Sequence, residues 1–262
     1  MSFDRSPWRA EFSKTGGLPW LCPSCSRAPL ALLANSLQEG QTSESLEQQK
    51  QLASEPEWID GRFSCLFECS HCSHIVAVAG TWRVEDQRHY DEIRGEVGGY
   101  VEFYRPLFFT DSPHIIPLPE TTPERVEVEI VKSFNLFWTD LEACGNRVRR
   151  AVEEVLTQQR IPRWSIGRAG SRKGKRQRLS LHDRIVAFID KDSSLSDALM
   201  AVKWIGNAAS HPEVLSIDDL LDGYELLGYV LDELYVRRAQ RVSALARAVN
   251  RRRGPVGRRR QL

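Results

Sequence analysis

The sequence predicts an α+β protein in which a small amino-terminal β domain precedes an antiparallel four-helix bundle. Three observations support this prediction. Strand-like runs are concentrated in residues 1–112. Prolines then crowd into 113–123, where a helix cannot be sustained. Beyond them, apolar residues recur at alternating steps of four and three, the helical period. We therefore expect a Pro-rich linker at 113–123, a helical bundle at 124–247 and a basic tail at 248–262.

The β domain is predicted from three segments rich in β-forming residues. Residues 62–67 and 75–84 are expected to be strands that flank a Cys-x-x-Cys turn, and the aromatic segment 99–110 is expected to be extended. A Gln-, Ser- and Glu-rich insertion covers residues 30–54. It is expected to be either a loose helix or a disordered segment.

Two Cys-x-x-Cys pairs, Cys22 with Cys25 and Cys69 with Cys72, lie beside these strands. A tetrahedral zinc ion takes four such ligands at about 2.3 Å, and each pair supplies two from one tight turn. We therefore predict a zinc-ribbon-like domain with one structural Zn²⁺. Four thiolates leave no open position for catalysis. The insertion explains the spacer of 43 residues between the pairs.

Three other residues are close enough in sequence to replace one of these ligands, and the sequence leaves that choice open: Cys65, His71 and His74. A redox role for the cysteine pairs is disfavoured, because two pairs are present and no thioredoxin-like βαβ pattern surrounds either.

The first predicted helix is long and amphipathic, about seven turns from Ile130 to Val155, with Cys144 as a core thiol on its apolar stripe. A second, shorter helix covers residues 179–189. The third is expected to begin at a capping-box-like pair, Ser194 and Asp197.

Pro212 disfavours helical geometry at the residue before it, so the third helix is expected to end at His211. The fourth helix is expected to begin at Ser216 and Asp219.

Lys203, Asn207 and His211 recur at four-residue intervals along the third helix and therefore share one face. A cation, an amide and an imidazole in one row can bind a phosphate and move a proton. We take these three as candidate catalytic residues. The alternative is a polar helix edge that faces solvent.

The composition is that of an ordinary soluble protein, with 41% hydrophobic and 27% charged residues among 262. No apolar run approaches the ~20 residues that span a bilayer. The amino terminus lacks the apolar centre of a secretory signal. We expect a cytoplasmic protein without membrane association, in which structural disulfides are rare.

The net charge of +1 conceals two basic segments, residues 163–178 and 247–262, each with seven Lys or Arg and no acid. Such segments on an acidic body favour a polyanion such as nucleic acid. The alternative is a solvated loop and a disordered tail. The candidate nucleic-acid contacts are Arg172, Lys173, Lys175, Arg176, Arg178, Arg251, Arg252 and Arg253.

The carboxy-terminal half resembles the family called domain of unknown function 4145. The resemblance rests on LEACGNRVRRAVEEVL (141–156), LHDRIVAFI (181–189) and LMAVKWIGNAASH (199–211), followed by DLLDGYELLGYVLDELY. It covers about residues 125–240, and IGNAASH is its most specific part. Such domains resemble the HEPN superfamily, four-helix bundles common in prokaryotic toxin, antiviral defence and restriction systems. The amino-terminal cysteine pairs lie outside the resemblance.

Active HEPN ribonucleases carry an Arg followed by a polar residue and then, a few positions later, a His. They form dimers in which two such motifs face one cleft, and they cut RNA without a metal. The resemblance implies that Asn207 takes the polar position and His211 the histidine. Gly206 stands where the family has Arg, and the nearest cation is Lys203, one turn earlier.

The roles implied are a general base or acid for His211, charge stabilisation for Lys203, and orientation of the histidine or phosphate for Asn207.

Two interpretations stay open. The first is a metal-independent endoribonuclease that acts as a homodimer through its helical bundle in a defence or toxin-type system. The second is a non-catalytic module with a structural zinc site, which binds nucleic acid or docks a partner protein from the same operon. Both predict binding to RNA or other nucleic acid through the basic segments.

Overall fold

The computed structural model describes residues 3–50, 55–91, 93, 95–167, 174–208, 215–236 and 238–254. The chain divides into two compact units. The first comprises Met1–Ile115 with Val131–Cys144, and the second Ile116–Ile130 with Gly145–Leu262. Strands dominate the amino-terminal part and helices the carboxy-terminal part, which confirms the α+β class.

The strands of the amino-terminal part form an antiparallel sheet with a small separate ribbon. The elements are β1 (Leu30–Leu32), β2 (Gln38–Gln41), α1 (Ser43–Gln49), β3 (Asp60–Cys69), β4 (Ile75–Asp86), β5 (His89–Asp91), β6 (Gly95–Val97) and β7 (Tyr100–Phe109). In the main sheet the order is β1-β3-β4-β7, and β2 pairs with the other end of β3. The ribbon pairs β5 with β6.

Strand β3 alternates buried and exposed residues, as a sheet with one covered face requires. Phe63 and Phe67 point from it into an aromatic core, where Phe12 contacts both rings and stacks on Tyr104. Trp20 is fully buried beside Phe67. These rings supply the apolar area that holds the sheet together.

The segment predicted as an insertion adds strands to the sheet. Residues 30–49 contain β1, β2 and α1, whereas the sequence favoured a loose helix or disorder. Residues 51–54 lie outside the described part. The polar composition of this segment hid β2, because its residues are exposed or half-buried and leave no apolar alternation.

The helices of the carboxy-terminal half follow residue 123. They are α2 (Glu124–Leu136), α3 (Leu141–Gln158), α4 (Leu181–Val186), α5 (Ser193–Ala208), α6 (Ile217–Leu231) and α7 (Arg238–Arg252). Strands β8 (Trp164–Ile166) and β9 (Arg176–Arg178) form a hairpin between α3 and α4. The described residues of this half thus contain six α-helices, and a four-helix bundle stays a prediction.

The prediction of one long helix from Ile130 to Val155 is wrong. The chain leaves the helix after Leu136 and begins α3 at Leu141. Asp140 caps the new helix, since its carboxylate accepts a hydrogen bond from the Ala143 backbone N–H at 2.8 Å. Periodicity gave no sign of this break, because the buried Phe137 continues the apolar spacing through it.

Of the two predicted helix starts, that of α5 is shifted and that of α6 is confirmed. Helix α5 begins at Ser193, and its cap is Asp192, two residues before the predicted cap Ser194, since Asp192 accepts a hydrogen bond from the Leu195 backbone N–H at 3.1 Å. The box of Ser216 and Asp219 at the start of α6 is confirmed. The predicted end of the third helix at His211 lies outside the described residues. Helix α7 extends to Arg252, inside the segment predicted to be a basic tail.

Among the described residues, no helix is both long and apolar enough to cross a membrane.

Two glycines of the β2–β3 pair give a test of the sheet. A Cβ on Gly61 would lie 2.3 Å from the Gly40 carbonyl oxygen and from Nε1 of Trp82, whereas a Cβ on Gly40 would meet nothing within 4 Å. We expect Gly61→Ala to lower the free energy of unfolding by about 1–3 kcal/mol, as overpacking does. Urea unfolding followed by circular dichroism measures this, with Gly40→Ala as the control. Equal stability of the two variants would contradict the packing described.

Candidate functional site

The two cysteine turns share one backbone geometry. The N–H of Ser26 donates to the Cys22 carbonyl at 2.8 Å, and the N–H of Ser73 donates to the Cys69 carbonyl at 2.9 Å. Both serines have positive φ, 51° and 55°. Each turn therefore reverses directly after its second cysteine and directs two thiols to one point.

The four thiols form one cluster. Their sulfur atoms all lie within 4.8 Å of one another. The Cys22–Cys72 and Cys25–Cys69 sulfur pairs are 3.7 and 3.6 Å apart. Four sulfurs in a tetrahedron around an ion about 2.3 Å away would be about 3.8 Å apart, so the thiols fit a single metal ion.

The thiols of this cluster differ in pKa. Burial raises the pKa of Cys22 to about 12, against backbone hydrogen bonds from Cys25 and Ser24. At Cys69, burial is outweighed by hydrogen bonds from the backbone of Cys72 and His71, which hold its pKa at about 6. A cation in the cluster would favour the thiolate form at all four sulfurs.

The three alternative ligands left open by the sequence are not members of the cluster. Cys65 is buried on β3, where burial raises its pKa to about 12. His74 instead faces Asp111, with 3.3 Å between Nε2 and a carboxylate oxygen. The cluster that could hold a metal ion therefore consists of the four predicted cysteines. Cys144 is fully buried, which is the core position predicted for it.

Lys203 of the candidate catalytic row is buried. Only 6% of the residue is exposed, and its ammonium lies 3.3 Å from the ring centre of Trp204. Burial lowers the pKa of Lys203, and the nearby Arg149 guanidinium lowers it further. The ammonium is held by a cation–π contact, the kind that stabilises a desolvated cation.

Asn207 is half-buried and forms a hydrogen bond with Arg149 of α3. Its Oδ1 accepts a hydrogen bond of 2.7 Å from Nη1 of Arg149. One residue earlier, Gly206 lets α5 approach α3 closely. A Cβ at Gly206 would lie 3.0 Å from the Gly145 carbonyl oxygen and 3.1 Å from Cβ of Arg149. His211, the third member of the row, lies outside the described residues.

The predicted nucleic-acid contacts occupy separate places. Arg176 and Arg178 lie on β9 and are exposed, as is Lys175 before them. The Arg176 guanidinium stacks 4.5 Å from the ring centre of Trp164. Arg251 and Arg252 are in the last turn of α7, and Arg253 follows. Arg172 and Lys173 lie outside the described part of the chain.

Sequence reasoning missed two arginines, Arg149 and Arg184. Arg184 is buried and lies on α4 beside the buried Leu181 and Ile185. An arginine on an apolar stripe was a signal that could have found it. Arg149 had a weaker signal, a glycine inside the α5 pattern, which indicates close backbone approach by a partner element.

Two family models match the chain. Residues 131–252 match the family model of the domain of unknown function DUF4145. This match confirms the family resemblance of the helical half. Residues 10–109 match a second family model, the domain of unknown function DUF8608, and these residues include all four clustered cysteines. No curated protein and no solved structure matches the chain.

We expect the purified protein to carry one metal ion per chain, measured by inductively coupled plasma mass spectrometry. The double variant Cys22→Ser/Cys69→Ser should lose the ion. Its thermal midpoint should fall by at least about 10 °C, because metal binding contributes folding free energy. Cys65→Ala is the control, since Cys65 is not in the cluster, and should keep the ion. Full metal content in the double variant would contradict the assignment.

The lowered pKa of Lys203 predicts a pH-dependent stability. Below the ordinary lysine value the unfolded state binds more protons than the folded state, so stability rises with pH. The free energy of unfolding of the wild type, relative to Lys203→Met, should therefore increase as the pH rises toward the ordinary lysine pKa of about 10.5. Urea unfolding across this range measures it, with Lys175→Met as the exposed control. If the difference in the free energy of unfolding between the wild type and Lys203→Met stays constant or falls as the pH rises, the lowered pKa of Lys203 is contradicted.

Proposed function

We propose that the helical half is a HEPN-like module that associates with RNA and cleaves it without a catalytic metal, using Arg149, Asn207 and His211. The observation that carries the proposal is the 2.7 Å hydrogen bond from the Arg149 guanidinium to the Asn207 amide. It places an arginine beside the polar residue that precedes the candidate histidine.

The arginine of the active family pattern would in this way come from a different helix. Gly206 occupies the family's arginine position, and its backbone packs against Gly145 and Arg149. A side chain there would require Gly145 or Arg149 to shift by a few tenths of an ångström. A guanidinium from α3 supplies the same chemistry, because its planar fork binds phosphate oxygens through two donors. Lys203, buried under Trp204, acts in this proposal as a structural cation.

The chemistry follows from the residue types. The Arg149 nitrogens that are not bonded to Asn207 would stabilise negative charge on the phosphate in the transition state. His211 would accept the ribose 2′-hydroxyl proton or donate one to the leaving oxygen, since its ordinary pKa is near neutral. Asn207 would fix the position of the guanidinium.

The remaining expectations belong to the same proposal. The four thiols would hold a structural zinc ion in a zinc-ribbon-like domain, because an all-thiolate set suits zinc and leaves no open position. The protein would act in the cytoplasm as a homodimer through the helical bundle, with a partner from the same operon, in prokaryotic defence or a toxin-type system. The basic residues of β9 and α7 would contact the nucleic acid.

A second candidate function is a non-catalytic module that binds nucleic acid or a partner protein. The burial of Lys203 is compatible with it, because a cation held against Trp204 can serve packing alone. In that case the Arg149–Asn207 hydrogen bond would only join two helices.

Cleavage of RNA distinguishes the two candidates. The full chain is incubated with end-labelled RNA without magnesium, in chelator at a level that leaves the thiolate-bound ion in place. We expect cleavage, and a rate at least about 100-fold lower in His211→Ala and in Arg149→Gln, the usual scale for such groups. Binding of RNA, measured by fluorescence anisotropy, should change by no more than about threefold.

Arg150→Gln is the matched control, because Arg150 is the next residue on α3 and pairs instead with Glu129 at 3.4 Å. Its cleavage rate should equal that of the wild type. RNA binding without cleavage would support the second candidate. Unchanged cleavage in His211→Ala would overturn the proposed site.

A further inference from the structure

A cavity of about 370 Å³ lies in the second unit between the end of α3 and the β9–α4 connection. Its wall combines four arginines with a single carboxylate, Glu153, and two leucines. The lining residues are Arg149, Glu153, Arg163, Arg178, Leu179, Ser180, Leu181 and Arg184. Three of the four arginines lie outside the predicted nucleic-acid contacts.

The positive charge of this wall is poorly neutralised. Arg163 pairs with Glu154 at 2.7 Å. Among the described residues, no carboxylate lies within ion-pair distance of Arg149, Arg178 or Arg184. The cavity therefore carries an excess of positive charge in a partly enclosed space, where electrostatic interactions are stronger than in bulk water.

Arg184 is the most informative member of the wall. Only 3% of the residue is exposed. Its terminal nitrogens donate to the carbonyl oxygens of Glu153 and Ile161 and to the Thr157 hydroxyl, at 2.9 to 3.3 Å. Its Nε is buried and has no hydrogen-bond partner among the described atoms.

A buried guanidinium held only by neutral acceptors is costly to desolvate, and buried charges in proteins are normally paired. Arg163 and Arg178 add repulsion, whereas Glu153 and Glu154 attract the guanidinium from beyond ion-pair distance. An anion in the cavity would offset both effects.

We infer that this cavity binds the phosphate group of a small ligand or of a nucleic-acid end. Guanidinium groups match phosphate oxygens in geometry and charge, and several of them converge here on one space. The volume lies at the lower end of ordinary ligand pockets, so it accommodates a phosphate together with part of the group that carries it. Leu179 and Leu181 give that group an apolar wall.

The inference goes beyond the proposed function and does not depend on it. A chain that neither binds nor cleaves RNA could still bind phosphate in this cavity, and an active ribonuclease could leave the cavity empty. The two proposals therefore fail separately.

Isothermal titration calorimetry of the full chain with inorganic phosphate, at low chloride, tests the inference. We expect one saturable site per chain and at least about tenfold weaker binding in Arg178→Gln, since a charge-assisted contact is lost. Arg150→Gln removes the same charge from α3, outside the cavity wall, and should bind phosphate within about twofold of the wild type.

Arg178 is exposed, so its substitution leaves the fold intact even if a substitution at the buried Arg184 does not. No saturable heat up to about 10 mM phosphate, or equal weakening by the Arg178 and Arg150 variants, would overturn the inference.

Competition against bound phosphate identifies the source of the group. The competitors are adenosine 5′-monophosphate, an oligoribonucleotide with a 5′-phosphate, and the same oligonucleotide with a 5′-hydroxyl. Displacement by the mononucleotide at the lowest concentration would assign a free nucleotide. Displacement by the 5′-phosphorylated oligonucleotide, but not by the same oligonucleotide with a 5′-hydroxyl, would identify the phosphate of a nucleic-acid end as the ligand. Failure of all three would contradict the inference that the cavity accepts a carried phosphate.

Discussion

The close approach of α3 and α5 at Gly206 is the constraint on which the candidate chemistry of the helical half depends. A side chain at this position would meet the Gly145 backbone and the stem of Arg149 at about 3 Å. Because the helices come so close, the Arg149 guanidinium reaches Asn207. The same arginine also lines the basic cavity. One backbone contact thus sets the position of a charged group shared by the candidate catalytic row and the candidate phosphate site.

The β unit contains a second set of converging groups. Four cysteine sulfurs lie in two turns of matching geometry at one end of the sheet. A metal ion there would join the β3–β4 connection to the turn that precedes β1, which are far apart in sequence. Small domains commonly gain stability from such a cross-link when the apolar core alone is limited.

The sequence predicted those features that depend on local patterns. The cysteine cluster, strands β3, β4 and β7 and the capping box of α6 follow from spacing and residue type, and the structure agrees with them. The break at Asp140 was missed because a helix cap interrupts the backbone without interrupting the apolar spacing. The short strand β2 was missed because its polar residues are exposed or half-buried and show no apolar alternation, so only its backbone pairing with β3 reveals it.

The candidate site was less accessible to sequence reasoning, because its geometry depends on contacts between helices. Lys203 has the spacing of a functional cation, yet its burial under Trp204 depends on the surrounding fold. Arg149 lies 58 residues from Asn207, and no local pattern connects them.

The most direct test of the shared role of Arg149 and Asn207 is a double-mutant cycle on the single-turnover rate of RNA cleavage, with Arg149→Gln, Asn207→Ala and the combined variant. If the two side chains act as one unit, the double variant should cleave no more slowly than the slower single variant. Rate losses that multiply, or single variants that cleave as fast as the wild type, would contradict a joint role in the site.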